Sequence, residues 1–388
     1  MKMNEMLMRD VCGVHQKYVA KPSPVCTRLV DANTLLGIEI ELENFNDPDF
    51  ALGKVLDTGW VEHPEGSLVN GREFVLYPPG NGQYVENAVN EFFGNHFEFT
   101  ASERTSIHVH VDMTDDITVG QFRSVMALTY FIEPAIYRTA DENRKWGSYS
   151  CPLIDMRTDR FLSMFVAVNQ HKFGAALSGN YHEEKYYGCN AVSIRKHGTL
   201  EFRYFPCTNN KDVLLNYVNV CLELKKAGRM FTDPVALCDA LDSPAQLLDF
   251  MQKNMPVTYA CTAAYIDVED VQARVNQIRA ICTDQNVSKV VRGDAFGGAV
   301  SPAIRRFLEA RDKQKQQAIQ VEAEQNMRLV DVMDILRQQQ LAKAAGGQLK
   351  KFGVPNPFIA EDAQLVRLDE EVPPLQAPVK RRAKRPAN

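Results

Sequence analysis

The sequence predicts an α+β fold, with helices covering one face of an antiparallel β-sheet. Three observations carry this. Several short segments alternate apolar and polar residues with the period of a strand, and Gly or Pro punctuates each of them. Three longer segments place apolar residues at helical spacing. Beyond residue 300 the chain becomes rich in Gln, Ala and charge, which predicts a helical C-terminal extension.

Taken in chain order, residues 1–30 read as an irregular extension broken by "KPSP". The stretch "LLGIEIELE" is the clearest strand. Ile38, Ile40 and Leu42 face one way, and Glu39, Glu41 and Glu43 face the other. "GWVEHPEGSL" and "REFVLYPP" follow as strands, "ENAVNEFFGNHF" as a short helix, and "TSIHVHVDMT" as a further strand. "TVGQFRSVMALTYFIEPAIYRTA" predicts a long helix capped by Thr118 and laid over the sheet. "FLSMFVAVNQHKFGAAL" predicts a second helix and "VLLNYVNVCLELKKAGRMF" a third. Between them, "NAVSIR", the turn "KHGT" and "LEFRYFP" predict a hairpin. The segmentation is then 1–30, a domain over 31–240, a helical segment over 241–300, one long helix over 301–346, and a Pro-rich basic tail over 347–388 with too few apolar residues to fold. The helix over 302–345 is a candidate for oligomer formation, and the basic tail for contact with an acidic partner.

Bulk composition narrows the function. A net charge of −5 over 388 residues gives no general nucleic-acid footprint. No apolar run approaches the roughly 20 residues needed to span a bilayer. Nine cysteines with no C-x-x-C pair fit reduced thiols, so a cytoplasmic protein is expected. The chain lacks G-x-x-x-x-G-K-[ST] and is therefore not a P-loop enzyme.

Chemistry-bearing residues recur on strand faces. Glu39 and Glu41 share one face; Glu65 and Glu73 flank a turn; His108 and His110 share a face with Asp112; Glu201 and Arg203 are again two apart. Arg144 and Lys145 stand just past the long helix. Each has a plainer reading by itself: a solvated strand face, a hydrogen-bonded histidine, a structural ion pair, a charge beyond a helix end. Together they would line a sheet with about five carboxylates, one or two imidazoles and an arginine. So much negative charge needs cations beside it. Oxygen-rich sites suit Mg²⁺ or Mn²⁺, which commonly serve phosphate chemistry.

The order "GIEIELE", "EGSLVNGREFVLYPP", "SIHVHVDM", "NRKWGSYSCPL", "NAVSIRKHGTLEFRYFPCTNN" resembles the amidoligase family. That family belongs to the carboxylate–amine ligase superfamily, with glutamate–cysteine ligase and glutamine synthetase as relatives. The resemblance covers roughly residues 33–230. It implies about six antiparallel strands curved into a funnel with helices on the outer face. It also implies ATP and two or three Mg²⁺ in the mouth. ATP would phosphorylate a substrate carboxylate, and an amine would attack the acyl phosphate to give an amide. Either substrate would be a small molecule, a peptide or a protein.

Residue by residue, the resemblance makes Glu39 and Glu41 metal ligands and places Glu65 where the family commonly has Asp before Gly-Ser. Glu73, His108 and Glu201 match further metal-site positions. Arg203 matches the arginine that meets phosphate or carboxylate, and Arg144 a basic position which, with Lys145, would contact the nucleotide. Glu43 has no match and reads as a surface residue. Two other functions compete. One is a cupin-like metalloenzyme built on His-x-His, which would want a third histidine on a later strand. The other is a non-enzymatic scaffold that binds through the C-terminal helix and tail.

Overall fold

The computed structural model describes residues 2–14, 28–45, 59–95, 99–146, 150–153, 158–178 and 186–283. The chain divides into Met1–Ala318 and Ile319–Asn388, and all described residues lie in the first unit. The predicted helix over 301–346, the basic tail and part of the segment after Lys145 lie outside the described residues.

Among the described residues, six strands form one antiparallel sheet, in the order β2-β3-β1-β4-β6-β5. They are β1 (Leu36–Leu42), β2 (Trp60–Glu65), β3 (Gly71–Leu76), β4 (Ser106–Asp112), β5 (Cys189–Asn190) and β6 (Thr199–Pro206). The alternation of β1 does what its sequence predicts: Leu36, Ile38, Ile40 and Leu42 are buried, and Gly37, Glu39 and Glu41 lie half-buried on the opposite face. Each such apolar side chain contributes on the order of 2 kcal/mol by leaving water. That drive fixes which face turns inward.

Helices cover the apolar face. The helix α1 (Met8–Cys12) comes from the segment read as irregular, and buries Met8 and Val11. Next, α2 (Gln83–Gly94) packs on β2 and β3 through Trp60 and Phe92, whose ring centroids are 5.3 Å apart, and the Trp60 indole donates to the Ala88 carbonyl at 2.7 Å. The long α3 (Val119–Ala140) begins where the sequence places it. Thr118 Oγ1 accepts from the Gln121 amide, and the Gln121 side chain accepts in return from Thr118 N–H. Thr118→Ala is expected to lower stability by about 1 kcal/mol, read from the denaturant midpoint. Pro134 lies inside α3 and supplies no amide to the Tyr130 carbonyl. The Arg274 guanidinium fills that role and donates to Tyr130 O at 2.9 Å.

Two stretches depart from the expected elements. The second predicted helix is broken into α4 (Thr158–Val166) and α5 (Gln170–Ala176), because the Asn169 side chain caps α5 by accepting from Lys172 N–H at 3.0 Å. The expected hairpin has only two residues in its first strand. Asn190 Oδ1 accepts from Val192 N–H and turns the chain, Ser193–His197 forms α6, and Gly198 ends it at φ +76°. The third helix is α7 (Lys211–Gly228), which packs against α3 and β4. Then α8 (Pro234–Ala240), α9 (Pro244–Asn254), α10 (Pro256–Thr262) and α11 (Val268–Thr283) continue the helical character, with α11 against α3, α4 and α8. No helix among the described residues is long and apolar enough to cross a membrane.

Candidate active site: a carboxylate and imidazole face

The uncovered face of the sheet gathers the predicted residues by register. Glu39 on β1 pairs with Val75 on β3 and His108 on β4, while Glu41 pairs with Glu73. His110 lies opposite Gly37 on one side and Glu201 on the other. The ladder between β4 and β6 slips between Ile107 and Val109, so two β6 residues, Arg203 and Tyr204, stand against His108.

Glu39 sits at the centre. Its carboxylate lies 2.9 Å from His108 Nδ1 and 3.3 Å from His110 Nε2. The other nitrogen of His108 is 2.8 Å from Ser106 Oγ, which donates in turn to Glu41. Glu201 accepts from Asn190 Nδ2 at 2.7 Å and pairs with the Arg203 guanidinium. Arg203 Nη1 is also 3.3 Å from His108 Nδ1.

The electrostatics follow from crowding. Burial raises the Glu39 carboxyl, but the imidazoles of His110 and His108 outweigh it and hold Glu39 well below the usual carboxylate range. Glu201 behaves alike: burial raises it, and His110, Arg203 and His108 bring it below its ordinary value. Burial lowers His110, and Glu39 and Glu201 more than reverse that. Glu73 has only the Arg203 charge to lower it, which does not suffice. Burial, then repulsion from Glu39, Glu41 and Glu65, pushes its carboxyl up to about 8.

Among the described residues, two donor groups could hold a cation. They are Glu39, Glu73 and His108, and Glu39, His110 and Glu201, with the ligand atoms of each group within 4.8 Å of one another. Two carboxylate oxygens and one imidazole suit Mg²⁺ or Mn²⁺. The two histidines fall into separate groups, so they do not converge as a cupin-like site requires. A bound cation would let Glu73, which burial and its acidic neighbours push up, ionise.

The other predicted residues take different places. Glu41 is 3.8 Å from His108 and bonded to Ser106, at the edge of the first group. Glu65 ends β2, accepts from Ser67 N–H at 2.8 Å, and acts on the site through its charge on Glu73. Arg144 is buried behind the site. It donates to the carbonyls of Thr105 at 2.9 Å and Arg203 at 3.3 Å, tying β4 to β6. Lys145 pairs with Glu142 in the 3-10 turn Glu142–Trp146, and neither donor group includes it. Glu43 is not the surface residue expected. It is buried, paired with Arg104, and accepts from Val69 N–H at 3.1 Å, because β1 ends at Leu42 and the chain bends there.

Three participants received no role from the sequence. His110 carried a signal in its two-residue spacing from His108. Ser106 carried the same signal on the other side. Asn190 carried none, since only the pairing of β5 with β6 brings it to Glu201.

Residues 83–225 match a family model described as "putative amidoligase enzyme". No curated protein matches the chain significantly. The matched segment contains His108, His110, Arg144, Glu201 and Arg203, and the carboxylates of β1–β3 precede it. The resemblance in the motifs is thus borne out over residues 83–225, which are similar to the amidoligase family, and that similarity supports a ligase-type enzyme.

Proposed function

We propose that this protein is an ATP-dependent carboxylate–amine ligase that works through an acyl phosphate, with Mg²⁺ held by the acidic face. The observation that supports it best is the sharing of Glu39 between two donor groups beside Arg203. A bound divalent ion supplies charge neutralisation and alignment of the phosphates. Glu39, Glu73 and His108 would hold one such ion, and Glu39, His110 and Glu201 a second. The chain's own work is positioning. Arg203 presents a planar guanidinium that can grip a phosphoryl group or a carboxylate bidentately. Arg144 holds the Arg203 carbonyl and so fixes where that side chain starts.

In balanced form, a substrate carboxylate oxygen takes the γ-phosphoryl group and ADP leaves. The amine nitrogen then bonds to the acyl carbon, inorganic phosphate leaves, and the amine loses one proton. Arg203 stabilises negative charge in both halves.

ATP with Mg²⁺ should stabilise the folded protein, by about 1.4 kcal/mol at ten times the dissociation constant, and ATP with EDTA should not. Thermal melts read this directly. Equal stabilisation in both conditions would remove the metal–nucleotide reading.

A further inference from the structure

Gly37 is out of place in a central strand. Glycine weakens a strand interior, and in such a position it commonly marks a bulge or the close approach of another group. Its φ is not positive, and it sits in the regular ladder with β4, opposite His110. On the other side the β1–β3 ladder stops at Glu39, and Leu36 bridges Gly80 two residues out of that register. A Cβ built on it would meet the His110 Cβ at 3.4 Å, an ordinary contact, and nothing nearer. The missing side chain leaves space on the same sheet face as Glu39.

That space belongs to a cavity of about 390 Å³, inside the roughly 300–1,000 Å³ range of small-molecule sites. Glu39 and His110 line it, so its inner end opens onto the donor groups. Leu35, Val75, Leu76, Tyr77 and Pro79 give it an apolar wall. Asp112, which is buried, adds a second carboxylate, and Lys196 and His197 stand at the exposed rim in the last turn of α6. Neither Arg203 nor Arg144 lines it. Arg203 pairs with Glu201 and lies 3.3 Å from His108, and Arg144 donates to the Thr105 carbonyl, where phosphates would find their counter-charge.

We infer that this cavity seats the amine substrate, an organic primary amine with an apolar body. The inference rests on the ligase reading above. The ammonium end would meet the carboxylate of Asp112, the body would lie over Gly37 against Leu76 and Tyr77, and any anionic tail would reach Lys196. A carboxylate substrate entering here would instead face the like charge of Asp112.

The test uses the full chain, benzylamine and benzoate as probes, and the variants Gly37→Ala and Gly37→Val. Benzylamine should raise the Tm of the unsubstituted protein, and benzoate should not. Both variants should melt at the same temperature or higher, since a side chain suits a strand better than glycine does. They should lose the benzylamine shift, Gly37→Val completely, and keep the shift caused by Mg²⁺ and ATP. An unsubstituted protein that ignores benzylamine, or that takes benzoate as readily, overturns the inference. So does a Gly37→Val protein that still responds to benzylamine. Loss of the Mg²⁺–ATP shift in the variants would make the cavity a nucleotide seat and equally overturn it. Should the unsubstituted protein show no Mg²⁺–ATP shift while benzylamine still depends on Gly37, the ligase reading fails and the amine cavity stands.

Discussion

Glu39→Gln is expected to reduce Mg²⁺-dependent ATP turnover on the order of 10²-fold or more, with the fold intact. Glu39 is the residue common to both donor groups, and both histidines contact it. Gln keeps the size and one acceptor oxygen but removes the charge that a divalent ion needs. The substitution lies on the face away from Ile38 and Ile40, which hold β1 in the core. Folding should therefore survive, as circular dichroism would show. Release of ADP, followed with and without Mg²⁺, measures the effect. A Glu39→Gln protein with unchanged turnover and unchanged metal dependence would remove the site from the mechanism.

Glu73→Gln should act in the opposite sense on stability. Burial and its three acidic neighbours push Glu73 up to about 8 in the folded protein, against an ordinary 4.5. The folded state therefore keeps a proton that the unfolded chain gives up. Between pH 4.5 and 8 the native state binds more protons, so metal-free stability falls as pH rises through this window, and is fully present below it. Near pH 7 the penalty is on the order of 1–2 kcal/mol once solvent screening of a half-buried group is allowed for. Glu73→Gln abolishes it, so its Tm in EDTA should exceed that of the parent by a few degrees at pH 7 and match it near pH 4.5. The same group predicts proton release. Mg²⁺ needs the carboxylate, so binding at pH 7 should liberate close to one proton per protein, and affinity should rise with pH up to about 8. Calorimetry in two buffers of different ionisation enthalpy counts that proton. No release, together with a Tm difference that does not vary with pH, would show Glu73 to be ionised and outside the cation site.

The sequence by itself determined the faces. Alternation in "LLGIEIELE" and "SIHVHVD" placed Glu39, Glu41, His108 and His110 away from the core before any pairing was known, because side-chain direction along a strand is a local property of the backbone. The Thr118 cap and the long apolar stripes of α3 and α7 were legible for the same reason. Tertiary structure decided the neighbours. Glu41 meets Glu73 and His110 meets Glu201 only through strand register, which depends on contacts between residues far apart in the chain. Those contacts raise Glu73, and they bring Asn190 to Glu201. They also turned Glu43 from its expected exposed face to Arg104, and left Ser193–His197 a helix where alternation suggested a strand. Periodicity is written residue by residue, whereas register and caps are settled by the free energy of the assembled core.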